Sequence, residues 1–525
     1  MGDARRLAEV AHQRGGRLAA EKVRLLEDLR ERGALGRRER RGVAASVNYL
    51  RAYPDDAAVR RAAERLAAEL PAEEVVYEYS YGVLQRLVRL FPGALEFDWE
   101  LLPDDGPIIE ALEVLLPPGE RQAFESGDLG VEEWFSLARP EPGCTDLEHL
   151  LRLFERSSLP GQARVLLFER CELPVRYAGP PSTRIAFPTG RVSYRRRPPD
   201  RSRFPLPPVI RSPLGRLRRG GPREIDLALQ ALCARSLEIH SLIYPNPEEV
   251  WIADCGRGLE VLLIGTHPDW RGPWEVISFF GIVQNGVPLA YGPAGVFGGC
   301  CEMGINLFPE FRGAEIRNIY AQLMRVLHHH LGVEYFFLDR YGMGVGNPDA
   351  IASGAFWFYR KLGFLPTEPV IAELALREEE RMRREPGYRC DRRTLRRLSH
   401  TEAYLDLSGG RLRPLDLAGL GAAESAQVAR RFAGDRERAR RASVRSVAKV
   451  LELDPREPAL PGLAPTLALL PDLEGWPRAE RRRLARFVRA KGAAQEAEAA
   501  RLSARLPRLL AGLRALARPE GGGSL

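Results

Sequence analysis

The sequence predicts an α+β fold in which a mixed sheet with covering helices occupies the middle of the chain, flanked by N- and C-terminal helical regions. Three observations predict it. Apolar runs at 276–283 and 287–291 meet across Asn285-Gly286, a dipeptide suited to the positive φ angles of a tight hairpin. A third run, 302–308, leads into Phe311-Arg312-Gly313-Ala314, after which Ile316, Ile319, Tyr320, Leu323, Val326 and Leu327 recur at helical spacing. On either side of this centre, Leu-, Val- and Ala-rich stripes repeat every three or four residues, with Arg/Glu pairs between them.

In chain order, residues 4–32, 37–53, 56–70 and 73–91 read as helices, punctuated by Pro54-Asp55, Pro71 and Pro92-Gly93. Shorter helices follow at 108–116, 131–137 and 147–156. No fixed period recurs, so residues 1–180 are expected to form a helical N-terminal domain, a scaffold or dimerisation surface, rather than a solenoid. Residues 181–223 form a linker. Ten arginines lie between Arg191 and Arg219 among prolines, with Asp200 the lone acid, and such a stretch is expected to be extended and without a core. It is either a solvated linker or an arm for phosphate-bearing partners; aromatic interleaving is limited to Tyr194 and Phe204, too little for base stacking.

A helix at 224–240 opens a central domain, 224–378, and strands at 249–253 and 259–265 precede the hairpin. Beyond the helix that starts near Ile316, residues 333–338 read as a buried strand, and Gly342, Gly344 and Gly346 as a loop. Asn347-Pro348 supplies an N-cap and a first-turn proline for a helix at 351–362, stopped by Gly363. Residues 364–376 read as one more strand, interrupted by Pro366 and Pro369. Residues 379–525 form a helical C-terminal region, with helices at 423–432, 436–453 and 478–516 and a Gly-Gly-Gly-Ser tail expected to be disordered.

Composition narrows the function classes. At 525 residues, 45% hydrophobic and 28% charged, the chain is of soluble globular type and long enough for about three or four domains. The net charge of +8 carries little weight, because only Lys22, Lys361, Lys449 and Lys491 are lysines and a uniform arginine bias is what a GC-rich genome produces. Nucleic acid is therefore not an expected partner. The N-terminus lacks the apolar stretch of a secretory signal, no uncharged run is long enough to span a bilayer, and seven scattered cysteines do not form a disulfide framework. The expectation is a cytoplasmic protein without a membrane partner.

The run Ala355-Phe356-Trp357-Phe358-Tyr359-Arg360-Lys361-Leu362-Gly363-Phe364 resembles the A-x-x-x-Y-x-K-x-G-F ending of the GNAT superfamily of acyl-CoA-dependent N-acyltransferases, and Pro309-Glu310-Phe311-Arg312-Gly313 resembles the start of its pyrophosphate loop. The resemblance covers about the third quarter of the chain. It implies acyl-CoA as cosubstrate, held by Leu307, Phe308, Arg312, Gly313, Ala314, Glu315, Ile316 and Ser353, and an amine acceptor, either a small molecule or a peptide. It also implies that the strands at 302–308 and 334–339 part toward the Arg312 turn. With Arg312 in the first loop position, the superfamily's two small positions fall on Glu315 and Arg317, and its asparagine ahead of the tyrosine is Ala352.

Within that reading Tyr359 is the candidate acid for the leaving thiolate, set against a core aromatic beside Phe356, Trp357 and Phe358. Glu302, which begins the strand entering the loop, is the candidate base; Asp339 is the reserve, with loop capping as its alternative. Backbone amides around residues 305–307 would steady the oxyanion. The rival reading is an inactive GNAT-like binding or scaffold protein, contacting a protein partner or a second copy through its helical regions. Other constellations carry less. His328-His329-His330 point about 100° apart on a helix and do not converge on a metal, and one of Cys300-Cys301 is expected in the core. The glycines at 342, 344 and 346 miss the dinucleotide interval.

Overall fold

A computed structural model describes residues 2–72, 74–125, 129–195, 205–312, 315–493 and 495–517. Part of the Arg/Pro linker, the loop residues Gly313 and Ala314 and the C-terminal Gly-Gly-Gly-Ser run lie outside them. The chain divides into two compact units that cut across the segments read from sequence: residues 1–198, 222–245 and 284–288 form the first, and 199–221, 246–283 and 289–525 the second.

In the first unit, the helices Gly2–Ala11, Gly16–Arg32, Arg37–Ala52 and Ala57–Glu69 bury Leu7, Val10, Leu25, Leu26, Val43, Val47, Val59 and Leu66 against one another. The continuous helix expected at 4–32 is broken, because Gly15 takes φ +146°, a conformation other residues rarely adopt. Between these helices Lys22, fully buried, donates to Asp55 at 2.8 Å and to the Gln13 carbonyl at 2.6 Å. The helix expected at 73–91 is a strand, β1 (Val75–Tyr77), followed by a shorter helix, Tyr81–Leu90. The run Val75-Val76-Tyr77, two β-branched residues and an aromatic, favours a strand and overrides the helical stripe. With β2 (Leu95–Phe97) and β3 (Val175–Tyr177) it makes a small antiparallel sheet in the order β1-β3-β2. The helix Pro222–Cys233, read as opening the central domain, packs in this unit.

The second unit is built on a ten-stranded sheet of β4 (Arg218–Arg219), β5 (Pro245–Asp254), β6 (Leu259–Thr266), β7 (Val276–Gln284), β8 (Val287–Phe297), β9 (Cys300–Met303), β10 (Asn306–Leu307), β11 (Tyr335–Leu338), β12 (Leu365–Pro366) and β13 (Ala403–Asp406). The order is β12-β13-β11-β9-β8-β7-β6-β5-β4, with β10 beside β8. β9 and β11 run parallel, joined by the crossover helix Ile316–Leu331, whereas β13 lies antiparallel to both β11 and β12. The α+β expectation therefore holds in its coarse form: a mixed sheet with helices around it.

Four expectations are corrected. The Arg/Pro linker is not coreless where it is described: Leu206 and Ile210 of the helix Leu206–Arg211 are buried, and Arg211 donates to the Leu407 carbonyl at 2.8 Å. The strand at 364–376 shrinks to β12, and from Pro369 the chain is a helix to Arg384, since a proline is well suited to a first helical turn. The helix at 351–362 becomes two, Pro348–Ser353 and Ala355–Leu362, divided by Gly354 at φ +71°. Residues 478–516 form three helices, Arg478–Gly492, Glu496–Ser503 and Pro507–Leu516, and Phe487 of the first packs on Phe297 of β8 and on Trp274 just ahead of β7. Among the described residues no helix is long and apolar enough to cross a membrane.

Candidate active site

The site is organised by a break in the strand that follows β8. Both β9 and β10 pair with β8 in one continuous register, Met303 opposite Ala294 and Asn306 opposite Tyr291. Pairing lapses between them, where Gly304 lies opposite Pro293 and Ile305 opposite Gly292. A proline has no N–H to give the ladder, and Gly292 is so close that a Cβ there would sit 1.9 Å from the Gly304 carbonyl oxygen. On the other side, β9 pairs with β11 only as far as Glu302 opposite Phe337, and β10 has no pairing with β11 among the described residues. Pairing between the neighbouring strands thus ends at Glu302, a parting of the hydrogen-bonded ladder. The Phe308 N–H bonds the Leu289 carbonyl at 3.1 Å, so by the alternation of an antiparallel strand the Leu307 N–H is directed away from β8, toward the parting.

Glu302 stands at the point of divergence, and its side chain reaches solvent. Its carboxyl is nevertheless held above the ordinary carboxylate value, first by the surrounding protein and then by the negative charges of Asp339, Glu275 and Glu402. Glu275 precedes β7, and its own carboxyl is raised by burial. It approaches Gly295 of β8, the residue opposite Glu302, so that two carboxyls flank one bare glycine. Glu302, Phe337 and Tyr404 share a row across β9, β11 and β13 and therefore one face of the sheet. Asp339 caps the turn after β11, its carboxylate accepting from the Gly342 N–H at 2.7 Å, the loop-capping role weighed from sequence.

Tyr359, on the helix Ala355–Leu362, is buried, with ring contacts to Tyr320 at 5.8 Å, Phe358 at 5.0 Å and Phe364 at 5.7 Å. Burial pushes its phenol up to about 12; a hydrogen bond from Tyr320 works the other way, and the charge of Asp339 adds to the rise. Asp339 thus acts on both Glu302 and Tyr359, which the fold brings to the same end of β11.

The residues expected to hold coenzyme follow the break in order. Leu307 is half-buried on β10; Phe308 is buried against Tyr291, with centroids 5.4 Å apart. A single 3₁₀ turn, Pro309–Phe311, brings the chain to Arg312, which is exposed. Gly313 and Ala314 lie outside the described residues. Glu315 is the N-cap of the helix that Ile316 begins, and Arg317 in its first turn donates to the Lys361 carbonyl at 2.6 Å. Ser353 closes the helix Pro348–Ser353 with its hydroxyl on the Ala350 carbonyl at 3.2 Å.

The remaining constellations disperse. His328 Nδ1 lies 2.6 Å from the Val333 carbonyl and His329 Nε2 lies 2.9 Å from that of Ser212. His330 packs on Trp251, where burial takes its imidazole down to about 4. Cys300 and Cys301 are both buried, against the expectation of one, because helices cover the two faces of the sheet there; all seven cysteines are free. Sequence reasoning missed Glu275 and Tyr320. The signal for the second was present, a polar-tipped residue within the apolar stripe Ile319, Tyr320, Leu323.

No family model, curated protein or solved structure matches the chain.

Proposed function

We propose that the second unit transfers an acyl group from acyl-CoA to an amine. The observation that carries the reading is the loss of pairing between β10 and β11 beyond Glu302, which turns the Leu307 N–H toward β11 while the Glu302 carboxyl, of raised pKa, stands where the pairing ends. Such a gap suits a slender thioester arm, with the exposed Arg312 and the start of the helix Ile316–Leu331 near the anionic end. The carboxyls of Glu275 and Glu302, beside Phe337 and Tyr404, favour a cationic acceptor. In this reading Glu302 takes a proton from the ammonium, and the freed amine attacks the thioester carbonyl. The Leu307 N–H bonds the developing oxyanion, and Tyr359 gives its proton to the departing sulfur.

The test is thiol release from acetyl-CoA and longer acyl-CoA thioesters in the presence of polyamines, lysine and short peptides. The expected result is turnover with at least one amine, reduced about 100- to 10,000-fold in Glu302→Gln. No release above the buffer rate with any pair favours the second reading, a GNAT-like interaction module. That reading draws support from Glu315 and Arg317 at the loop's small positions, the latter engaged with Lys361.

A further inference from the structure

The buried face of the helix Ile316–Leu331 is made by Ile319, Tyr320, Ala321, Leu323, Met324, Val326, Leu327 and Leu331. Tyr320 alone carries a polar atom at its tip, and it is fully buried. Its hydroxyl closes no well-formed hydrogen bond, although its ring meets Tyr359 edge-on at 5.8 Å and 67°, Phe358 at 5.9 Å and Phe364 at 6.2 Å. A buried hydroxyl left unpaired costs about 1–3 kcal/mol and a weakly paired one part of that, and phenylalanine would fill the same space without the cost. The hydroxyl is thus poorly served in the resting protein and needs a better acceptor in some other state.

Resting on the acyl-transfer reading, we infer that Tyr320 is a positioning residue for Tyr359: its hydroxyl donates to the Tyr359 oxygen when that oxygen has given its proton away. As the C–S bond breaks, its electron pair goes to sulfur. The Tyr359 O–H bond then breaks, an S–H bond forms, and the electron pair left on the Tyr359 oxygen makes a phenolate in an apolar pocket. A charged oxygen is a better acceptor than the neutral phenol that the Tyr320 hydroxyl faces at rest, since a hydrogen bond to a charged group is about twice as strong as a neutral one. Glu302 meanwhile holds the amine proton; both residues return to their starting forms by exchange with solvent. The titratable groups facing the pair are Asp339 at the end of β11 and Cys301 on β9, and both disfavour a second negative charge. Within this setting Tyr320 is the group that holds the Tyr359 phenol down against burial.

The test replaces Tyr359 with 3,5-difluorotyrosine, whose phenol titrates in an accessible range, and follows its ¹⁹F shift with pH in the otherwise unaltered protein and in Tyr320→Phe. The inference expects the titration to move up by about one unit in Tyr320→Phe, a tenfold change in phenolate affinity for its proton. An unmoved titration in a variant of unchanged thermal stability overturns the inference. A kinetic arm separates positioning from packing. Tyr320→Phe, with Tyr359 restored, is expected to cleave acetyl-CoA about tenfold more slowly while cleaving a 4-nitrophenyl thioester, whose thiolate leaves without a proton, at the unaltered rate. Equal slowing of both substrates overturns it. A shifted titration in a protein that turns over neither thioester sinks the acyl-transfer reading and leaves the tyrosine pairing standing.

Discussion

In the proposed reaction Glu302 is the base; it stands where its strand stops pairing, and its carboxyl is raised first by the surrounding protein and then by the charges beside it. Asp339 contributes the largest charge effect among them, ahead of Glu275 and Glu402. Asp339→Asn keeps an oxygen for the Gly342 N–H, so the cap survives while the charge is removed. With a negative neighbour gone, the Glu302 carboxyl loses its proton more readily. The acid limb of the kcat/KM profile is expected to move to lower pH, and a limb that stays or rises contradicts the assignment. Both side chains to which the proposal gives catalytic roles were singled out from their places in the chain, Glu302 by leading into the loop and Tyr359 by its motif. Their partners were not. Tyr320 meets Tyr359, and Glu275 approaches Gly295, only through packing between residues 39 and 20 positions apart, which no local pattern encodes.

At the scale of elements, the hairpin at Asn285-Gly286, the crossover helix and the parallel strand after it were readable because each is a long or strongly periodic segment with a clear turn signal. What was unreadable is instructive. β13 has four residues, Ala403-Tyr404-Leu405-Asp406, and becomes a strand only by inserting between β11 and β12. The apolar run after Pro369 could serve as strand or helix, and its helix buries Leu374 and Ala375 while leaving Val370 and Leu376 exposed. The break between β9 and β10 was invisible for a different reason: it depends on Gly292, on the opposite strand. A methyl at this position would meet the Gly304 oxygen at 1.9 Å and Phe280 at 2.6 Å, so neither can be avoided without moving a strand. Gly292→Ala is therefore expected to cost about 2 kcal/mol or more in urea melts and to abolish acyl-CoA binding. Unimpaired stability would show that the close approach is not a constraint.

At the scale of the second unit as a whole, the C-terminal helices are joined to the sheet by buried charges. Arg271 binds Glu496 at 2.9 Å, Lys491 binds Glu496 at 3.1 Å and the Glu275 carbonyl at 2.8 Å, and Glu249 accepts from the Glu496 N–H that starts the helix Glu496–Ser503. Burial lifts the Glu249 carboxyl to about 7, with the charge of Glu496 adding to the rise and Arg271 and Lys491 opposing it. Its folded pKa thus lies above that of the unfolded chain. Between the two values the folded protein holds a proton that the unfolded chain has released. Stability consequently falls as pH rises from about 4.5 to 7 and is level in this respect above it. The fall is expected to be on the order of a few kcal/mol and to disappear in Glu249→Gln. Denaturant midpoints across that range check it, and a slope of opposite sign or one that persists in the variant contradicts it.

Whether a thioester cofactor binds between β10 and β11 is decided by calorimetric titration of the intact protein with acetyl-CoA, beside Arg312→Glu. Binding there is expected to give saturable heat with a micromolar dissociation constant, weakened at least tenfold in the variant, where a carboxylate replaces the cation proposed to face the coenzyme's phosphates. No heat with acetyl-CoA or any longer acyl-CoA, or binding that the reversal of charge leaves unchanged, would contradict it.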